Sequence, residues 1–105
     1  MTNADLQKRF DACVKFINTT KPGDPNAMDI DNMMKLEFYA IYKQATVGDC
    51  TGKRPGMMNI VARYKYDAWK KLTDKKTTKD QAKELFCKRF REAGPKQYDI
   101  VMSKL

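Results

Sequence analysis

Tyr39 and Lys43 stand four residues apart. On a helix that spacing puts an aromatic ring and a cation on one face. Tyr42 borders the same surface, and Arg63, Lys65, Tyr66 and Trp69 make a second group of cations and rings further along. A ring beside an ammonium group suits a nucleotide: the base stacks and the phosphates pair with the cation. The plainer reading is that the tyrosines pack at the edge of a core while the lysines stay solvated, as helical surfaces often do. Acid–base and nucleophilic chemistry find little support. The chain has no histidine, the usual general base, and a cysteine nucleophile lacks its usual partner. No carboxylate pair or metal-ligand set stands out. We therefore expect no enzyme, no metal and no cofactor.

The rest of the composition narrows the partners. The 105 residues carry 21 Lys and Arg against 13 Asp and Glu, a net charge of +8, which favours anionic partners. Phosphorylated small molecules, nucleic acid and acidic lipid surfaces all qualify. Lys70-Lys71 and Lys75-Lys76 are the candidate patch for a basic helical module on nucleic acid or an anionic membrane; a solvated surface is the commoner meaning of such runs. The length fits one domain, residues 1–105. Cys13, Cys50 and Cys87 are odd in number and form no C-x-x-C pair, so we expect reduced thiols acting as small hydrophobes. The N-terminal residues lack an apolar signal core. The final Ser103-Lys104-Leu105 matches the peroxisomal import tripeptide. A peroxisome or related organelle is thus the expected location, with the cytoplasm as the alternative.

The elements that must position these residues read as helices throughout. Leu6, Phe10, Cys13, Val14 and Ile17 fall on one face of a first helix, about 5–18, capped by Thr2 or Asn3. Asp29 or Asp31 starts the second, which runs to about Thr46 with Met34, Phe38, Ile41 and Ala45 as its stripe; Gly48 suits its stop. The third covers about 58–73 with Val61, Tyr64, Ala68 and Leu72 as its core stripe. Thr78 and Gln81 form a capping box for the fourth, whose stripe is Ala82, Phe86, Phe90 and Ala93. Gly94-Pro95 ends it, leaving 94–105 as a C-terminal extension whose structure the pattern does not define. The fold class is all-α, with short connections.

Tyr39-Ala40-Ile41-Tyr42-Lys43-Gln44-Ala45-Thr46-Val47-Gly48-Asp49 resembles the characteristic run of the acyl-CoA-binding proteins. Arg54-Pro55-Gly56-Met57, Lys65-Tyr66-Asp67-Ala68-Trp69 and Thr78-Lys79-Asp80-Gln81-Ala82 follow in that family's order. The resemblance covers most of the chain from Leu36 to Phe90 and implies a four-helix up-down-down-up bundle. It implies a non-catalytic monomer that carries medium- or long-chain fatty acyl-CoA, with acyl-CoA-using enzymes and anionic membranes as further partners and no nucleic acid. By the same resemblance the ligand residues are Lys15, Tyr39, Ala40, Ile41, Tyr42, Lys43, Lys65 and Phe86. Lys43 and Lys65 pair with the adenosine 3′-phosphate, and a ring stacks on adenine. Lys15 lies opposite the first helix's core stripe on a helical wheel. The chain departs from the family at Phe86, where many members have tyrosine, at Val61, where a lysine is common, and at Tyr66, usually tryptophan. Its loop from Lys21 to Asn32 is also longer than in small members.

Overall fold

Side-chain capping decides where the first four helices begin. In the computed structural model, which describes residues 2–105, Thr2 caps α1 (Asn3–Thr19). The Thr2 hydroxyl accepts from the Asp5 amide at 3.2 Å and donates to the Asp5 carboxylate at 2.9 Å. These hydrogen bonds hold the Asp5 carboxyl below its ordinary pKa. Asp31, not Asp29, caps α2 (Asn32–Thr46) by accepting from Met34 N at 2.8 Å. Asn59 caps α3 (Ile60–Asp74). Thr78 and Gln81 make the reciprocal capping pair expected at the head of α4 (Lys79–Ala93). A further helix, α5 (Pro95–Ser103), occupies the extension that the pattern left undefined. Proline lacks an amide hydrogen, so Gly94-Pro95 ends α4 and also opens α5, with Pro95 in the first turn where no donor is needed. The described residues thus form five helices, in keeping with the all-α expectation. None of them is long and apolar enough to cross a membrane.

The chain divides into two compact units. The first comprises the residues up to Ile30 together with Lys83–Leu105. Leu6, Phe10 and Cys13 of α1 are buried, as are Phe86, Cys87 and Phe90 of α4 and Tyr98 and Val101 of α5. Phe10 meets Phe86 edge to face at 5.2 Å, and Phe16 meets Phe90 likewise at 5.6 Å, the preferred geometry for ring quadrupoles. Arg9 donates a hydrogen bond to the Tyr98 hydroxyl. The neighbouring Cys87 thiol and burial push the Cys13 thiol pKa up.

The second unit spans Asp31–Ala82. Phe38, Ile41 and Ala45 of the expected α2 stripe are buried, together with Ala40 and Gln44. Gln44 is 1% exposed and fully engaged. Its amide nitrogen donates to Asp49 at 3.1 Å and to the Thr77 carbonyl at 2.6 Å, and its oxygen accepts from the Thr73 hydroxyl at 2.9 Å. One buried amide therefore ties α2 to the loop after it and to the far end of α3.

The first half of the expected α3 core stripe is overturned, while its second half, Ala68 and Leu72, is half-buried. Val61 is 64% exposed and Tyr64 is 60% exposed, and no α3 residue is fully buried. Ala62, Tyr66, Trp69 and Thr73 are half-buried as well. Polar anchors tie α3 to the loop that precedes it. Trp69 Nε1 donates to the Gly48 carbonyl at 2.8 Å, the Tyr66 hydroxyl donates to the Gly52 carbonyl at 3.0 Å, and Thr73 accepts from Cys50 N at 2.8 Å. Arg54 grips Asp67 through two bonds of 2.8 and 2.7 Å. Apolar periodicity alone carries no information about these carbonyls.

Candidate functional site

The second unit assembles a cluster of rings and cations from two helices. Tyr39 and Lys43 lie on successive turns of α2, and Lys65 and Trp69 lie on successive turns of α3. The Lys43 ammonium stands 5.8 Å from the Tyr39 ring centre and 5.8 Å from that of Trp69. The Lys65 ammonium stands 5.0 Å from Tyr39. Two positive charges therefore share one tyrosine ring. Each gains from the ring's negative face, about 0.5–1 kcal/mol at an exposed site, while the two repel one another. A polyanion placed between them removes that repulsion, and a ring beside it offers a stacking surface.

The backbone geometry explains why the cluster holds its shape. Val47 and Gly48 both donate to the Lys43 carbonyl, at 2.8 and 3.1 Å, closing α2 immediately after the lysine. Gly48 has φ +99°, a conformation that favours glycine, and the turn it makes presents its carbonyl to Trp69. Trp69 is thus hydrogen-bonded at one edge and in contact with Lys43 on its face. Tyr66 and Asp67, from the same sequence block, are occupied in anchoring the loop through Gly52 and Arg54. That block is therefore partly structural.

The remaining candidates fall elsewhere. Tyr42 lies on α2 next to Lys43 and is exposed. Ala40 and Ile41 are buried, so their side chains serve packing. Lys15 is exposed on α1, and Phe86 is buried against Phe10; both belong to the first unit. Trp69 is the residue that sequence reasoning left off the site. It was visible as part of the α3 group, but its contact with Lys43 joins two helices and no local spacing shows it.

Comparison with known proteins follows the same lines. The family model for acyl CoA binding protein matches residues 7–90. The chain is 41% identical over 83 residues to acyl-CoA-binding protein homolog 3 of Caenorhabditis elegans, covering 79% of this chain and 68% of that protein. It is 44% identical over 68 residues to acyl-CoA-binding domain-containing protein 5 of Xenopus tropicalis, covering 65% of this chain but 14% of that longer protein. Among solved structures, Oryza sativa acyl-CoA-binding protein 2 superposes with TM-score 0.72 at 33% identity, over 86% of this chain and 89% of that one. The ACBP of Moniliophthora perniciosa gives 0.74 at 28% identity, over 99% and 94%.

Proposed function

Because the chain belongs to the acyl-CoA-binding protein family, whose members are non-catalytic proteins that bind acyl-CoA esters, we propose that it carries medium- or long-chain fatty acyl-CoA, gripping the CoA head group with Tyr39, Tyr42, Lys43 and Lys65. The observation that carries this reading is the pair of ammonium groups at 5.8 and 5.0 Å from the Tyr39 ring. CoA brings roughly four negative charges, from a phosphomonoester and a pyrophosphate, and a base able to stack. Stacking contributes about 1–3 kcal/mol. Each buried methylene of the acyl chain contributes about 0.8 kcal/mol, so chain burial is the largest favourable term, offset by the cost of ordering a flexible ligand. Head group and chain are both needed for tight binding.

Calorimetric titration tests the reading. A long-chain acyl-CoA should bind one to one, and CoA alone, free fatty acid and a short DNA duplex should bind far more weakly or not at all. Lys43→Ala should weaken acyl-CoA binding by about tenfold or more, the worth of one charge-assisted contact, with an unchanged melting temperature. Equal affinities for CoA and acyl-CoA would show that the chain is not held. Wild-type affinity in the lysine variant would displace the head-group assignment, and binding of DNA without acyl-CoA would overturn the function.

A further inference from the structure

Two guanidinium groups converge on one buried phenol in the first unit. The Arg9 Cζ lies 5.9 Å from the centre of the Tyr98 ring, and the Arg91 Cζ lies 5.5 Å from it. Both side chains line a cavity of about 180 Å³ between α1, α4 and α5. Its inner wall is Leu6, Cys87 and Tyr98, all of them buried. Glu84 and Lys88 join Arg91 at its exposed rim. These three recur at helical spacing along α4, which sets them on one face. Three cations therefore meet one carboxylate, a net charge of +2 around the cavity. Like charges gathered in one place repel. Neither Lys88 nor Arg91 has an ion-pair partner among the described residues.

We propose that this cavity binds the phosphate of a small, soluble phosphomonoester. Such a group carries a charge of about −1.5 to −2 at pH 7, which matches the surrounding +2; a single carboxylate supplies half of it. Guanidinium forks pair with phosphate oxygens through two parallel bonds. The Tyr98 hydroxyl accepts from Arg9, which leaves the phenol's own hydrogen for a phosphate oxygen. Glu84 stands four residues before Lys88, close enough to turn to that lysine when an anion enters. Both guanidinium groups then serve the phosphate. The volume falls below the about 300–1,000 Å³ of pockets that enclose larger ligands, so the organic part is a short stem packed on Leu6 and the Tyr98 ring. Every lining residue belongs to the first unit, whereas Tyr39, Lys43, Lys65 and Trp69 belong to the second. The proposal therefore does not rest on the acyl-CoA reading.

Amide NMR titration with glycerol 3-phosphate tests the proposal. The shifts should saturate one to one and concentrate at Arg9, at Glu84 to Arg91 and at Tyr98. Acetate, with one charge, should bind at least about tenfold more weakly. The double variant Lys88→Gln with Arg91→Gln should lose at least about tenfold in affinity for glycerol 3-phosphate, since two charge-assisted contacts go. Both side chains are exposed at the rim, so its melting temperature and its acyl-CoA titration should match wild type. Arg91→Lys keeps the charge but loses the fork, and its affinity should fall between the two. Three results would overturn the proposal: no saturable shifts at the cavity, wild-type affinity in the double variant, or acetate bound as tightly as glycerol 3-phosphate. Coenzyme A carries a phosphomonoester of its own and provides the last arm. Cavity shifts produced by CoA but not by glycerol 3-phosphate, or loss of acyl-CoA binding in the double variant, would likewise overturn the proposal and assign the cavity to the larger ligand.

Discussion

Trp69 has two jobs: its face meets Lys43, and its Nε1 bonds the Gly48 carbonyl at 2.8 Å. Trp69→Phe separates them, since phenylalanine keeps a ring and loses the donor. Denaturant titration should show a loss of about 1 kcal/mol, the usual net worth of one hydrogen bond; an unchanged midpoint would mean that water replaces the donor at no cost. Asp67 offers a pH-dependent counterpart. Its bidentate bond to Arg54 holds its pKa below the ordinary carboxylate value. A lowered folded-state pKa gives stability that is present above the unfolded value and is lost as pH falls through the folded one. Amide exchange in the loop from Gly52 to Gly56 should therefore speed up as pH is lowered below about 4, beyond the trend of Asp67→Asn. Matching profiles would show that the ion pair does not anchor the loop. Both residues are exposed, so the effect should be small.

Among the elements, α5 tests how far the first unit depends on its last nine residues. Tyr98 is buried, lies 6.3 Å from the Phe90 ring and takes a hydrogen bond from Arg9. Tyr98→Ala should cost about 3 kcal/mol in chemical unfolding, as truncation of a buried aromatic does; a loss below about 1 kcal/mol would make α5 an appendage. Sequence reading missed this helix because its buried face holds little more than Tyr98 and Val101, too few for a period to declare itself. The starts of α1, α2 and α4 were legible, the first two to within a pair of candidate caps, for the opposite reason. Thr2, Asp31 and the Thr78–Gln81 pair act on amides three residues away, so the whole interaction sits in one short window. The face of α3 was legible at Ala68 and Leu72 but not at Val61 and Tyr64, and its bonds to the carbonyls of Gly48 and Gly52 and to Arg54 form only after folding. The candidate site divides the same way: Tyr39 with Lys43 follows from spacing within one helix, whereas Lys43 with Trp69 and Lys65 with Tyr39 join two.

For the whole molecule, a charge of +8 makes salt a means of separating the two halves of the proposed ligand. The Debye length shrinks from about 10 Å at 0.1 M salt to about 3 Å at 1 M, which weakens attraction to the phosphates and leaves methylene burial in place. Acyl-CoA affinity should fall with salt, while the affinity ratio between two chain lengths stays nearly constant. A ratio that follows salt would mean that the chain is not held by apolar burial. The three buried thiols offer a means of timing. Cys13 and Cys87 sit in the first unit and Cys50 in the second, where a maleimide in solvent cannot reach them. Each sulfur is a concealed tag that becomes available only when its own surroundings open. Labelling at Cys50 therefore clocks one unit and labelling at Cys13 or Cys87 the other, and the two clocks running together or apart reports whether this chain opens as one body or as two.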